Sequence, residues 1–87
     1  MKIKEGFILR RVGIQYIVAA TGEASKDFNG MLRLNRTGAF LWEQLSVEKS
    51  KEQLIRALMD QYEVEESTAN TDVDACLATL KGAGIIA

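Results

Sequence analysis

Apolar positions change their spacing near residue 35. Before it they fall in short runs rich in β-branched and aromatic residues, and after it they recur at helical intervals. The stretches Phe7–Val12 and Gln15–Ala20 have the composition of strands and are separated by a turn signal at Gly13, which predicts a β-hairpin. Thr21 to Gly30 contains Gly, Glu, Ser, Lys, Asp and Asn with only Phe28 as a large apolar residue, and reads as a loop. It leads to a third strand, Met31-Leu32-Arg33-Leu34, in which a period of two directs Leu32 and Leu34 to the core and Met31 and Arg33 to the other face. Three strands cannot close on themselves, so an edge of this sheet is expected to keep unpaired backbone N–H and C=O groups.

Beyond Asn35, Phe40, Leu41, Trp42 and Leu45 gather on one side of a helix expected over Thr37 to Leu45, with Asn35 or Thr37 as its cap. Ser50-x-x-Gln53 has the form of a capping box and precedes Leu54, Ile55, Leu58, Met59 and Tyr62, an amphipathic series that predicts a second helix. A third helix follows Glu65, with Glu66 suited to the positive end of its dipole and Val73, Cys76, Leu77 and Leu80 spaced i, i+3, i+4, i+7. Gly82 or Gly84 is placed to end it, and Ile85 and Ile86 form an apolar tail able to reach the core. The order βββααα, with strands and helices segregated along the chain, implies one α+β domain spanning residues 1–87.

Composition narrows the function. The hydrophobic fraction of 47% and charged fraction of 26% are those of a folded globular domain. No apolar run approaches the roughly 18 residues of a membrane span, and Met1 to Gly6 lacks a signal-peptide core, so a cytoplasmic protein without membrane contact is expected. With no histidine and a single cysteine, Cys76, neither an internal disulfide nor a zinc cluster is expected, and the usual proton-transfer side chain near neutral pH is missing. No cofactor and no catalytic set are predicted. Charge is uneven: residues 1–36 carry +4 and residues 37–87 carry −5, out of a net −1. Such asymmetry fits an oriented partner or an internal match between the halves.

From Leu34 to Leu45 the chain reads Leu-Asn-Arg-Thr-Gly-Ala-Phe-Leu-Trp-Glu-Gln-Leu. This resembles the L-N-x-T-G-x-x-I/L-W-x-x-L signature of the PqqD-like family. Gly6-Phe7-x-Leu9-Arg10 and the ending Leu80 to Ile86 are similar to that family's opening and close, so the resemblance runs over essentially the whole sequence. It implies a winged helix-turn-helix fold with three N-terminal antiparallel strands and three helices. It also implies a non-catalytic recognition element for ribosomally made, post-translationally modified peptides, of the kind exemplified in pyrroloquinoline quinone (PQQ) biosynthesis. In that family the leader segment of a precursor peptide adds as a strand beside the third strand, against the third helix, and is delivered to a modifying enzyme, often of the radical SAM type.

Carried onto this chain, the docking edge is Met31, Leu32, Arg33 and Leu34, and the facing helix offers Asp74, Leu77, Ala78 and Lys81, with Ala75 and Ala78 small enough for close approach. The same residues also have structural readings. Leu34, Leu41, Trp42 and Leu45 are spaced as any helix packed on a sheet requires. Asn35 and Thr37 suit caps, and Gly38 suits a close helix approach. Cys76 lies on the apolar stripe with no basic sequence neighbour to activate it, and Arg33 suits an edge charge that discourages aggregation. A DNA-binding winged helix is the main competing function, yet the third helix region holds Glu65, Glu66, Asp72 and Asp74 against Lys81 alone, where a nucleic-acid reader needs a basic stripe. A second alternative is self-association, as a homodimer, through the exposed strand edge. The sequence does not name the precursor, the enzyme or the product.

Overall fold

The computed structural model describes residues 1–22 and 31–86. Three strands, β1 (Phe7–Val12), β2 (Gln15–Ala20) and β3 (Leu32–Leu34), precede three helices, α1 (Arg36–Gln44), α2 (Lys51–Tyr62) and α3 (Glu66–Gly82). The α+β order expected from the sequence is the one observed. The sheet is antiparallel in the order β1-β2-β3, so β2 is central and β3 lies at an edge. The expected third strand is one residue shorter than predicted: Met31 precedes it and is 74% exposed. The loop reading of Thr21 to Gly30 falls mostly on residues 23–30, outside the described residues.

The hairpin turns at Gly13, whose φ of +63° at the first of two loop residues matches the type II′ pattern that follows the twist of paired strands. Arg11 closes the tip, its Nε donating to the Gly13 carbonyl at 3.2 Å while its guanidinium lies 5.9 Å from the Tyr16 ring centroid. Register then sorts side chains by face. Leu9, Val18 and Leu32 form one row across the sheet on the core side, and Arg10, Ile17 and Arg33 form the next row on the opposite side. Val18 is fully buried, and Phe7, Leu9, Leu32 and Leu34 pack partly buried against the same core.

The helices cover that face. Leu41 and Leu45 of the α1 region, Leu54 and Leu58 of α2, and Val73 and Leu80 of α3 are essentially inaccessible to solvent. Burying each such side chain contributes roughly 1.5–3 kcal/mol relative to leaving it in water. Phe40 and Tyr62 meet edge-to-face at 5.7 Å and tie α1 to the end of α2.

Local chemistry sets the helix ends. Asn35 caps α1, its Oδ1 accepting from the Gly38 N–H at 2.7 Å, so the helix starts one residue before the predicted Thr37. The Ser50–Gln53 capping box is complete. After α3, the Gly84 N–H bonds to the Lys81 carbonyl and the Ile85 N–H to that of Leu80, with Gly84 at φ +74°, which is a Schellman ending. That turn delivers Ile85 and Ile86 to the core, where they are 0% and 3% exposed. The N-terminal segment crosses the same end of the molecule: the Ile3 N–H donates to the Leu45 carbonyl and the Lys4 N–H to the Ile85 carbonyl.

Candidate functional site

Where β3 runs into α1 the chain makes a tight junction. Leu34 ends the strand, Asn35 caps the helix and Gly38 sits directly over both. A Cβ built on Gly38 would lie 3.2 Å from Asn35 Oδ1 and 3.3 Å from Leu34 Cβ, so a larger residue would push α1 off the strand. The L-N-x-T-G segment thereby fixes β3 against the helical layer.

Beside this junction is an open cleft of about 230 Å³. On one side are Arg33 and Leu34 of β3 with Asn35, Thr37 and Gly38 at the start of α1; on the other are Asp72, Ala75, Cys76 and Thr79 of α3. The four α3 residues are spaced i, i+3, i+4, i+7 and so lie along one face of the helix. β3 pairs with β2 on one side only, and among the described residues no strand occupies its other edge. Backbone hydrogen-bonding capacity, a helix wall of small side chains and a cleft thus occur together. The positive end of the α1 dipole opens on the same space, and that helix has no acidic residue in its first turn.

The residues singled out from the sequence divide between this cleft and elsewhere. Arg33 and Leu34 line it; Leu32 is one pleat away with its side chain on the core face, and Met31 is exposed just before the strand. On α3, Asp74 is turned toward α2, where its Oδ1 lies 2.7 Å from Lys51 Nζ. Leu77 is 8% exposed within the core, and Ala78 and Lys81 are exposed on α3 away from the cleft lining. The face α3 gives to the cleft is the neighbouring one, with Asp72 and Thr79 added to Ala75 and Cys76. Periodicity could have proposed that stripe, since it flanks the apolar series Ala69, Val73, Cys76 and Leu80. It could not choose between the two flanks.

The polar groups of the cleft differ in how they are engaged. Asn35 Oδ1 is committed to its cap, and Thr79 Oγ1 donates to the Ala75 carbonyl of its own helix at 3.1 Å. Asp72 is half-buried, and among the described residues its carboxylate has no hydrogen-bond or ion-pair partner. Cys76 is 7% exposed, and burial pushes its thiol up from about 9 to about 11. The thiol is neutral at physiological pH and acts as a small apolar side chain, as the sequence suggested. Among the described residues no group of His, Cys, Asp and Glu side chains could hold a metal ion, and no helix is long and apolar enough to cross a membrane.

A second groove runs along the outer side of α2, where Ile55 and Met59 are bordered by Glu52, Arg56, Asp60 and Glu66. It has side chains alone and no strand edge.

No curated protein sequence matches the chain. A solved structure, TbiB1 in complex with the TbiA(beta) leader peptide, is similar to it with a TM-score of 0.74 at 19% identity, covering 98% of this chain and 93% of that one. At that identity the likeness establishes the fold, three strands followed by three helices. The family model of Coenzyme PQQ synthesis protein D (PqqD) matches residues 15–86, from the central strand to the apolar tail, and the chain belongs to that family.

Proposed function

We propose that this protein binds an extended segment of a ribosomally made precursor peptide by adding it as a strand beside β3, and presents the rest of that peptide to a modifying enzyme. The observation that carries the reading is the coincidence of the open β3 edge with the cleft between β3 and α3. A guest strand gains main-chain hydrogen bonds from the edge and specificity from whatever its alternate side chains meet. Family membership and the likeness to TbiB1, solved in complex with a leader peptide, support a peptide as the guest.

In this reading the chain is a binding module and not an enzyme, and it works in the cytoplasm next to the enzyme it serves. A radical SAM enzyme is the partner class that the family resemblance suggests. The contact surface comprises Met31, Leu32, Arg33 and Leu34 with the cleft face of α3; Ala78 and Lys81 lie on the outer flank, and Asp74 and Leu77 support the helix from behind. DNA binding is disfavoured, because α3 exposes Glu66 and Asp74 and turns Asp72 to the cleft with only Lys81 in its last turn, and phosphates would be repelled.

The test is a titration of isotope-labelled protein with synthetic peptides covering the leader of a precursor encoded beside it. Amide signals of 31–34 and of 72, 75, 76 and 79 are expected to shift together, while those of the α2 groove stay in place. Shifts confined to α2 would refute the assignment. Dilution of the free protein over the same concentration range separates peptide binding from self-association through the same edge, which would move the β3 signals without peptide.

A further inference from the structure

Resting on that reading, we propose that Asp72 selects the guest peptide, favouring segments with Lys or Arg at the position that faces it and an uncharged, apolar residue two positions away. Asp72 is the one anionic side chain among the described residues lining the cleft. α3 carries a second acid only two residues on, Asp74, but that one is engaged by Lys51 on the α2 side. Asp72 is half-buried and, among the described residues, lacks such a partner, so its charge is directed at whatever enters the cleft.

Spacing turns this charge into a pattern. Alternate residues of an added strand point to the same face and are separated by about 6.7 Å. Asp72 and Thr79 are one stripe apart on α3, about 10.5 Å along the axis. Two alternate guest side chains therefore fit along this wall, one at Asp72 and the next over Ala75 and Cys76. The first meets a carboxylate and gains from a cation that donates hydrogen bonds to it. The second meets a methyl group and a neutral, largely covered thiol, which offer no polar partner and no charge. Arg33 does not neutralise Asp72 from within. The pleat puts its side chain on the sheet face opposite Leu32 and Leu34, and the two residues form no ion pair. A guest with Asp or Glu at the position facing Asp72 leaves two carboxylates opposite each other in the cleft, so the preference acts against wrong peptides as well as for right ones.

The probe is a display library of unconstrained twelve-residue peptides, selected in parallel against the wild-type chain, Asp72→Lys, Asp72→Asn and, as a control at an exposed acid outside the cleft, Glu43→Lys. Thermal melts confirm that each variant is folded before selection. The wild type is expected to enrich Lys or Arg two positions from an uncharged, apolar residue. Asp72→Lys is expected to enrich Asp or Glu at the same place, Asp72→Asn to lose the charge preference, and Glu43→Lys to select as the wild type does. For a resynthesised wild-type peptide, Asp72→Asn should weaken binding on the order of tenfold or more at low salt. If selected peptides shift the amides of 31–34 but the same residues are enriched with all four proteins, Asp72 is not the selector and the strand-addition reading stands. If no peptide is enriched, or enriched peptides leave the β3 amides unmoved, both fall.

Discussion

The sheet has two outer strands, and they differ in a way that locates the binding site. β1 is six residues long and β3 is three, so by length alone β1 offers more backbone to a guest. Both carry an arginine on the face away from the core, Arg10 and Arg33 on either side of Ile17, and edge charge of that kind discourages indiscriminate strand pairing. The contrast lies beside the strand. β3 feeds directly into the capped start of α1 and borders the cleft walled by α3, whereas no residue of β1 lines that cleft. Backbone hydrogen bonds are the same for every sequence, so an edge alone binds without choosing. A neighbouring wall of fixed side chains is what makes an edge selective.

The largest effect expected on this contrast comes from filling the cleft. Ala75→Trp places a bulky ring on an exposed helix position, so it should leave the melting temperature nearly unchanged while reducing affinity for a leader peptide on the order of a hundredfold. Ile8→Trp on β1 should leave affinity within about twofold, and fluorescence anisotropy with a labelled peptide compares the two. A greater loss from the β1 variant would reverse the assignment of edges.

A smaller effect acts on the placement of β3. Gly38→Val is expected to destabilise the fold by about 2 kcal/mol in denaturant titrations, because its Cβ already meets Leu34 Cβ at 3.3 Å and the branch adds further bulk. Asn35→Ala should cost about 1 kcal/mol through loss of the bond to the Gly38 N–H. In both variants hydrogen exchange should accelerate at 32–34 more than at 7–12. Equal acceleration in both strands would show that the β3–α1 junction has no special hold on the edge.

The smallest effect uses Cys76 as a reporter from inside the cleft. Its thiol titrates higher in the folded protein than in the unfolded chain because burial disfavours the thiolate. The unfolded state therefore loses its proton first, and the stability contributed by the neutral thiol is complete below about pH 9 and declines as pH rises toward about 11. Denaturant midpoints at pH 8 and pH 10.5 should fall further apart for the wild type than for Cys76→Ala. Alkylation by iodoacetamide at pH 8 should be slow and slower still with peptide bound, and a thiol that reacts at the same rate with and without peptide would argue that the guest lies elsewhere.

Much of the fold was legible because it is locally encoded. Gly13 between two β-rich runs, Ser50 with Gln53, and Gly84 before Ile85 and Ile86 each act through neighbours within a few residues, and all appear as read. The alternation of Leu32 and Leu34 with Arg33 likewise follows from the pleat. The differences are at boundaries, where Met31 falls outside β3 and α1 begins at Arg36, because a strand end depends on its pairing partner and a helix start on which of two candidate caps makes the bond.

The site was half legible for a different reason. The sequence by itself determined that the strand ending at Leu34 would meet a helix through a capped glycine junction, since Leu34, Asn35, Thr37 and Gly38 fall within five consecutive residues. It determined as well that α3 would bury Val73, Cys76 and Leu80. What only the tertiary structure decided is the rotation of α3 about its axis, and hence which flank of that buried stripe faces β3. Both flanks hold small and acidic residues, so periodicity is symmetric between them. Packing against α2, with Asp74 drawn to Lys51, breaks the symmetry and leaves Asp72, Ala75 and Thr79 facing the cleft.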